Sequence, residues 1–121
     1  MTTSELQANV RVRDGVALID LAGDLNSSAE DALNEAYAQA TAGGADSVVL
    51  NFERAVYINS TGIALIVGLL AQARANRVQV TAFGLSDHYR EIFEITRLAD
   101  FMTITDDEDR AVSGAEGRHD A

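Results

Sequence analysis

Tyr57-Ile58-Asn59-Ser60-Thr61-Gly62-Ile63-Ala64-Leu65-Ile66 sets three small polar residues and a glycine between two apolar runs. The pattern reads as a buried strand that turns directly into a helix. A Ser, Thr or Asn at such a boundary offers a side-chain oxygen to the unpaired N–H groups of the first helical turn. The positive end of the helix dipole then faces whatever is attached there, which suits a phosphate. From local sequence either Asn59 or Ser60 can be the capping residue, so a plain helix cap and a phospho-acceptor both remain open for Ser60. Thr61 reads as a first-turn residue. Gly62 costs up to about 1 kcal/mol relative to alanine in a helix, and leaves the backbone open to close approach.

Upstream, Val48-Val49-Leu50 lacks alternation, as expected for a strand buried on both faces between Ser47 and Phe52. Residues 53–58 read as a short bridge with Val56, Tyr57 and Ile58 as apolar anchors. Before them, Ala29, Ala32, Leu33, Ala36, Tyr37 and Ala40 recur at helical spacing. Ser27-Ser28-Ala29-Glu30 has the form of a capping box, and Gly43-Gly44 stops the helix. The chain opens with a hairpin, Val10 and Val12 alternating before the Asp14-Gly15 turn and Val16, Leu18, Ile19 and Leu21 after it.

Downstream, the helix from Asn59 runs to about Asn76, apolar on nearly every side in its first half, so the sheet and a further surface are expected to cover it. Val78 to Phe83 alternates as another strand. Ser86 or Asp87 caps a short helix with Tyr89, Ile92 and Phe93 on its apolar stripe. Leu98, Phe101, Met102 and Ile104 can form an edge strand or an apolar connection. Asp106 to Asp109 can open a last short helix through Ala111 and Val112, and 113–121 lacks an apolar face and is expected to be a disordered tail. The predicted fold is α/β, a mixed sheet with helices packed against it, because parallel neighbours must be joined by crossovers.

With 121 residues, 47% of them hydrophobic, the chain suits one domain with one core. Its net charge of −10, with arginine and no lysine, argues against nucleic acid and anionic membrane surfaces as partners. The absence of cysteine excludes disulfides, thiol catalysis and Cys-ligated metal. Met1-Thr2-Thr3-Ser4-Glu5 has no apolar signal region, and the run Ile63 to Ala71 is too short to span a bilayer, so a cytoplasmic location is expected. His88 and His119 have no companions at metal-ligand spacing. Asp106 to Asp109 lacks the alternation of an EF-hand and reads as a solvated charge run. Ser60, His88 and Asp24 do not make a hydrolase triad on this pattern, because the G-x-S-x-G elbow is missing. No catalytic residue, metal or cofactor is expected.

The stretch Asn59-Ser60-Thr61-Gly62-Ile63-Ala64-Leu65 resembles the phosphorylation site of STAS domains, the family of bacterial anti-sigma factor antagonists, where it reads roughly Asp-Ser-Ser/Thr-Gly before an apolar helix. The resemblance extends to Val16-Ala17-Leu18-Ile19-Asp20-Leu21-Ala22-Gly23-Asp24-Leu25, to Gly84-Leu85-Ser86 and to Phe93-Glu94-Ile95-Thr96-Arg97-Leu98, in order and spacing. It covers a domain at 8–112, after an N-terminal segment at 1–7. It implies a STAS-like fold and an antagonist that binds an anti-sigma factor with serine kinase activity and so frees a sigma factor for transcription. Phosphorylation at Ser60 would switch it off, and a metal-dependent serine phosphatase would restore it. The implied partner surface is Asp24, Asn26, Ser27, Asn59, Ser60, Thr61, Gly62 and Ile63, on a monomer or weak homodimer. Asn59 stands where the family usually has aspartate, which leaves a phosphorylation-independent interaction or scaffold module as the alternative.

Overall fold

The computed structural model describes residues 5–117. Strands β1 (Gln7–Arg13) and β2 (Val16–Leu25) form an antiparallel hairpin, and Asp14 and Gly15 turn it with φ of 53° and 79°. Two positive φ values match the right-handed twist of the flanking strands, and glycine carries the second at little steric cost. Helix α1 (Glu30–Thr41), strand β3 (Ser47–Ile58), helix α2 (Ser60–Ala75), strand β4 (Gln79–Phe83), helix α3 (Asp87–Ile95) and the two-residue β5 (Thr103–Ile104) follow. Helix α4 (Glu108–Gly117) ends the described chain.

The sheet order is β1-β2-β3-β4-β5, with every pair after the hairpin parallel. Crossovers between successive parallel strands keep one hand, so a sheet in sequential order carries its connecting helices on one face. The main core is on that face: Ile19, Leu21, Val48, Leu50 and Ala82 pack with Leu33, Tyr37, Ile66, Leu69 and Phe93. The rings of Phe52 and Phe93 meet edge to face at 5.8 Å. The other face has a second cluster of Val16, Leu18, Val49 and Phe83 under Ala111, Val112 and Ala115 of α4. This two-sided burial explains the unbroken apolar run of β3.

Three expectations are corrected. The region 53–58 is no bridge: β3 continues through it, paired with β2 from Ala22 to Leu25 across two irregularities of register. Of the three expected anchors only Ile58 is buried, since Val56 and Tyr57 stand 67% and 53% exposed. The capping box fails because Asn26, one residue earlier, accepts from the Ser28 N–H at 3.0 Å and caps a 3-10 turn at Ser27–Ala29, while the first turn of α1 has no side-chain cap. Residues 113–117 continue α4, because Ala111 and Ala115, one turn apart, make a small face that seats on the sheet with Val112. The remaining tail residues, 118–121, lie outside the described residues.

The acidic run before and inside α4 is organised by arginine. Glu108 accepts from Arg11 at 3.1 Å and from Arg13 at 2.7 Å, and Asp109 accepts from Arg13 at 2.7 Å. Arg11 also binds both oxygens of Asp20, which takes a third bond from Asn51 at 2.8 Å. The Arg11 bond, against burial and with help from Arg13, holds the Glu108 carboxyl down to about 2. Burial pushes Asp20 up, but the Arg11 and Asn51 bonds outweigh it and the net shift is downward.

Candidate functional site at the start of α2

Asn59, not Ser60, caps α2. Its backbone is extended, with φ −93° and ψ −176°, and its Oδ1 accepts from the Gly62 N–H at 2.8 Å. Its carbonyl accepts from the Ile63 N–H at 2.9 Å, closing the first helical turn. Ser60 is therefore the first helical residue rather than the cap. Its side chain is exposed and its hydroxyl has no hydrogen-bond partner among the described residues. Thr61 is exposed in the same way. The Ser60 and Thr61 N–H groups belong to the first turn, whose donors have no intrahelical acceptor, so the positive helix end faces solvent beside two free hydroxyls.

The position of this turn is set by the end of β2. The Leu25 carbonyl accepts from the Asn59 N–H at 3.2 Å, and a Cβ on Gly62 would fall 2.1 Å from the same oxygen. Only a glycine lets α2 begin directly over that carbonyl. Leu25 pairs with Ile58 and Asp24 with Tyr57, so the ends of β2 and β3 present Asp24 and Tyr57 next to the helix start. Asp24 is largely buried, whereas Ser27 and Ser28 are exposed in the turn that contacts α2. The Asn26 side chain holds that turn by accepting from both the N–H and the hydroxyl of Ser28. Ile63 is half-buried against the main core and anchors the turn from below.

All eight sequence-selected residues, Asp24, Asn26, Ser27 and Asn59 to Ile63, thus belong to the end of β2, its following turn and the start of α2. Tyr57 was missed as a surface residue, because an aromatic before a buried isoleucine reads as core. Tyr89 was missed as a buttress: its Oη accepts from the Ile58 N–H at 3.0 Å and fixes the end of β3 just before the cap. No hydrogen bond joins Ser60, His88 and Asp24 among the described residues; His88 lies against Tyr89, ring centroids 5.0 Å apart, and His119 is outside them. Among the described residues no group of acidic or histidine side chains could hold a metal ion, and no helix is long and apolar enough to cross a membrane. Among the described residues no arginine is hydrogen-bonded to this surface.

Comparison with known proteins bears on the family and the fold. The chain is 28% identical over 101 residues to an anti-sigma-B factor antagonist of Staphylococcus aureus strain NCTC 8325, covering 84% of this chain and 94% of that protein. It shares its fold with the anti-sigma factor antagonist SpoIIAA in its unphosphorylated form, at TM-score 0.70 and 21% identity, over 93% of this chain and 98% of that one. The phosphorylated form of the Bacillus cell fate determinant SpoIIAA aligns at TM-score 0.65 and 23% identity, over 89% and 96% of the two chains. The STAS domain model matches residues 7–111, nearly the whole described chain, and the protein belongs to the STAS domain family.

Proposed function

We propose that this protein is an anti-sigma factor antagonist, a non-catalytic binding protein that sequesters an anti-sigma factor through the surface around Ser60 and thereby regulates sigma-factor-dependent transcription. Ser60 is the phospho-acceptor, the anti-sigma factor or an associated serine kinase modifies it, and a metal-dependent serine phosphatase reverses the change. The observation that supports this most is the division of labour at the helix start: Asn59 supplies the cap, so the Ser60 hydroxyl is exposed and uncommitted. The Staphylococcus relative and the SpoIIAA structures, named as antagonists, support the partner class.

A phosphate on Ser60 adds a charge of about −1.5 to −2 at a helix end that stabilises it, so the fold need not open. Among the described residues no arginine is hydrogen-bonded to this surface to neutralise it, and Asp24 pairs with Tyr57 at the end of β2. The added charge therefore falls on the partner. If the contact buries Ser60, an uncompensated charge costs about 2–5 kcal/mol, which is about thirtyfold to several-thousandfold in affinity.

The test is incubation with ATP and each candidate anti-sigma factor kinase, followed by mass spectrometry of the Ser60 peptide, with partner affinity measured for the wild type, Ser60→Ala and Ser60→Glu. Labelling at Ser60, with binding kept by Ser60→Ala and weakened by Ser60→Glu, is expected. Asn59 favours one second reading, since an amide here removes the acidic neighbour that the family usually sets beside its acceptor. In that reading the same surface serves a scaffold contact without phosphorylation, and Ser60→Glu binds like the wild type.

A further inference from the structure

The far end of α2 has a surface of different chemistry. Ala64, Val67, Gly68 and Ala71 recur at three and four residues on its outer side and are all exposed. Val67 and Ala71 form one wall of an open groove of about 320 Å³, which Leu98 and Phe101 close from the segment after α3. A second groove of about 180 Å³ adjoins it, lined by Arg77, Val78 and Gln79. Arg74 and Phe101 line both, and the Arg74 guanidinium lies 5.6 Å from the Phe101 ring centre. Phe101 is nonetheless 53% exposed, as is 47% of Val67.

Charge distinguishes this place from the rest of the molecule. Arg11, Arg13, Arg90, Arg97 and Arg110 each hold a carboxylate. Arg54, Arg74 and Arg77 hold none among the described residues, in a chain whose net charge is −10. In a protein with acid to spare, two arginines that hold no carboxylate among the described residues stand at these adjoining grooves, Arg74 on both and Arg77 on the second. Aromatic and arginine side chains together around an apolar centre are the composition of interface hot spots. Small residues along α2 let a second helix approach closely, and the i, i+3, i+4, i+7 spacing matches an amphipathic helix laid along it.

We propose that this face of α2 docks an acidic amphipathic helix of a partner protein, with an apolar side chain seated between Val67, Ala71 and Phe101 and carboxylates on Arg74 and Arg77. Fourteen helical positions separate Arg74 from Ser60, about 21 Å along the axis. The two arginines thus lie at the opposite end of α2 from Ser60.

The test uses NMR amide shifts of the full chain titrated with two end-blocked peptides that share one Leu/Phe/Ala face. One has glutamate on its polar face and the other lysine. Saturable shifts are expected with the glutamate peptide alone, centred on Val67 to Ala71, Arg74, Arg77 and Phe101. The double variant Arg74→Glu/Arg77→Glu loses that binding by about tenfold or more and gains the lysine peptide, and Phe101→Ala weakens it. Arg54→Glu, which changes the same charge on β3, and Ser60→Glu leave it unchanged. Equal response to both peptides, equal loss in Arg54→Glu, shifts elsewhere on the surface, or no saturation by about 1 mM peptide would each overturn the proposal. A retained, dispersed amide spectrum in each variant excludes unfolding as the cause.

Discussion

The backbone carbonyl of Leu25 stands where a side chain on Gly62 would have to go, 2.1 Å from an ideal Cβ. A helix-interior glycine is ordinarily a weakness, and replacing it with alanine ordinarily stabilises by up to about 1 kcal/mol. Here the sign reverses. The oxygen belongs to backbone already paired with Ile58 and bonded to Asn59, so it cannot swing aside as a flexible side chain could. Gly62→Ala should destabilise the fold by about 1–3 kcal/mol, the usual range for overpacking, read as a lower urea midpoint. A stabilised Gly62→Ala protein would show that α2 can lift off β2 freely.

Asn59 gives a separate prediction at the same turn. Its Oδ1 satisfies the Gly62 N–H, so Asn59→Ala should cost about 0.5–2 kcal/mol of stability. Asn59→Asp keeps an acceptor in place and adds a negative charge at the helix N-terminus, and should match or exceed the wild type by up to about 1 kcal/mol. Thermal melts of the two variants check this, and equal losses in both would contradict the capping role.

How far these features could be seen beforehand depended on whether their cause was local. The hairpin was legible because Asp14-Gly15 alone demands a tight turn, and the centre of β3 because burial on both faces leaves no polar position. The end of β3 was not. Glu53, Arg54, Val56 and Tyr57 are all exposed, so no alternation marks them as strand, and their conformation comes from distant pairing with β2. The capping box misled for a related reason: Ser27 and Glu30 match the pattern, but Asn26 reaches the Ser28 N–H first. At the candidate site, the residues selected around Ser60 lie together at the end of β2 and the start of α2. The choice between Asn59 and Ser60 as cap rested on the residue at which the helix begins, which residue types alone do not specify. The Leu25 carbonyl that necessitates Gly62 is a main-chain atom, invisible to any motif.

Helix α4 was expected to stop near Val112 because two alanines spaced one turn apart are a faint signal. Ala115 is 1% exposed against the second face of the sheet, while Ser113 is exposed. Ala115→Glu must bury a carboxylate without a partner or lift the helix end, and should cost about 2 kcal/mol or more. Ser113→Glu, two residues away, should change stability by no more than about 0.5 kcal/mol. Urea unfolding of both variants distinguishes a docked helix from a loose tail, since a loose tail would tolerate the two changes alike.

The arginine clamp on Glu108 makes the docking of α4 depend on pH. Arg11 and Arg13 hold the Glu108 carboxyl at about 2 in the folded protein, against an ordinary 4.5. A carboxyl whose folded value is depressed binds fewer protons folded than unfolded, so its contribution is fully present above about pH 4.5 and is lost as pH falls toward 2. Asp20, also shifted downward, acts in the same direction through Arg11. The protection factors of the Ala111 and Val112 amides, which set observed exchange against the intrinsic rate at each pH, should therefore fall progressively below about pH 4.5. In Glu108→Gln the amide keeps its shape but cannot titrate. Protection of α4 should then be weaker at neutral pH and fall less steeply on acidification, with the residual slope carried by Asp20. The ion pairs are partly open to water, so added salt should narrow the gap between wild type and variant. Parallel exchange profiles for the two proteins across that window would mean that apolar packing of Ala111, Val112 and Ala115 alone holds the helix.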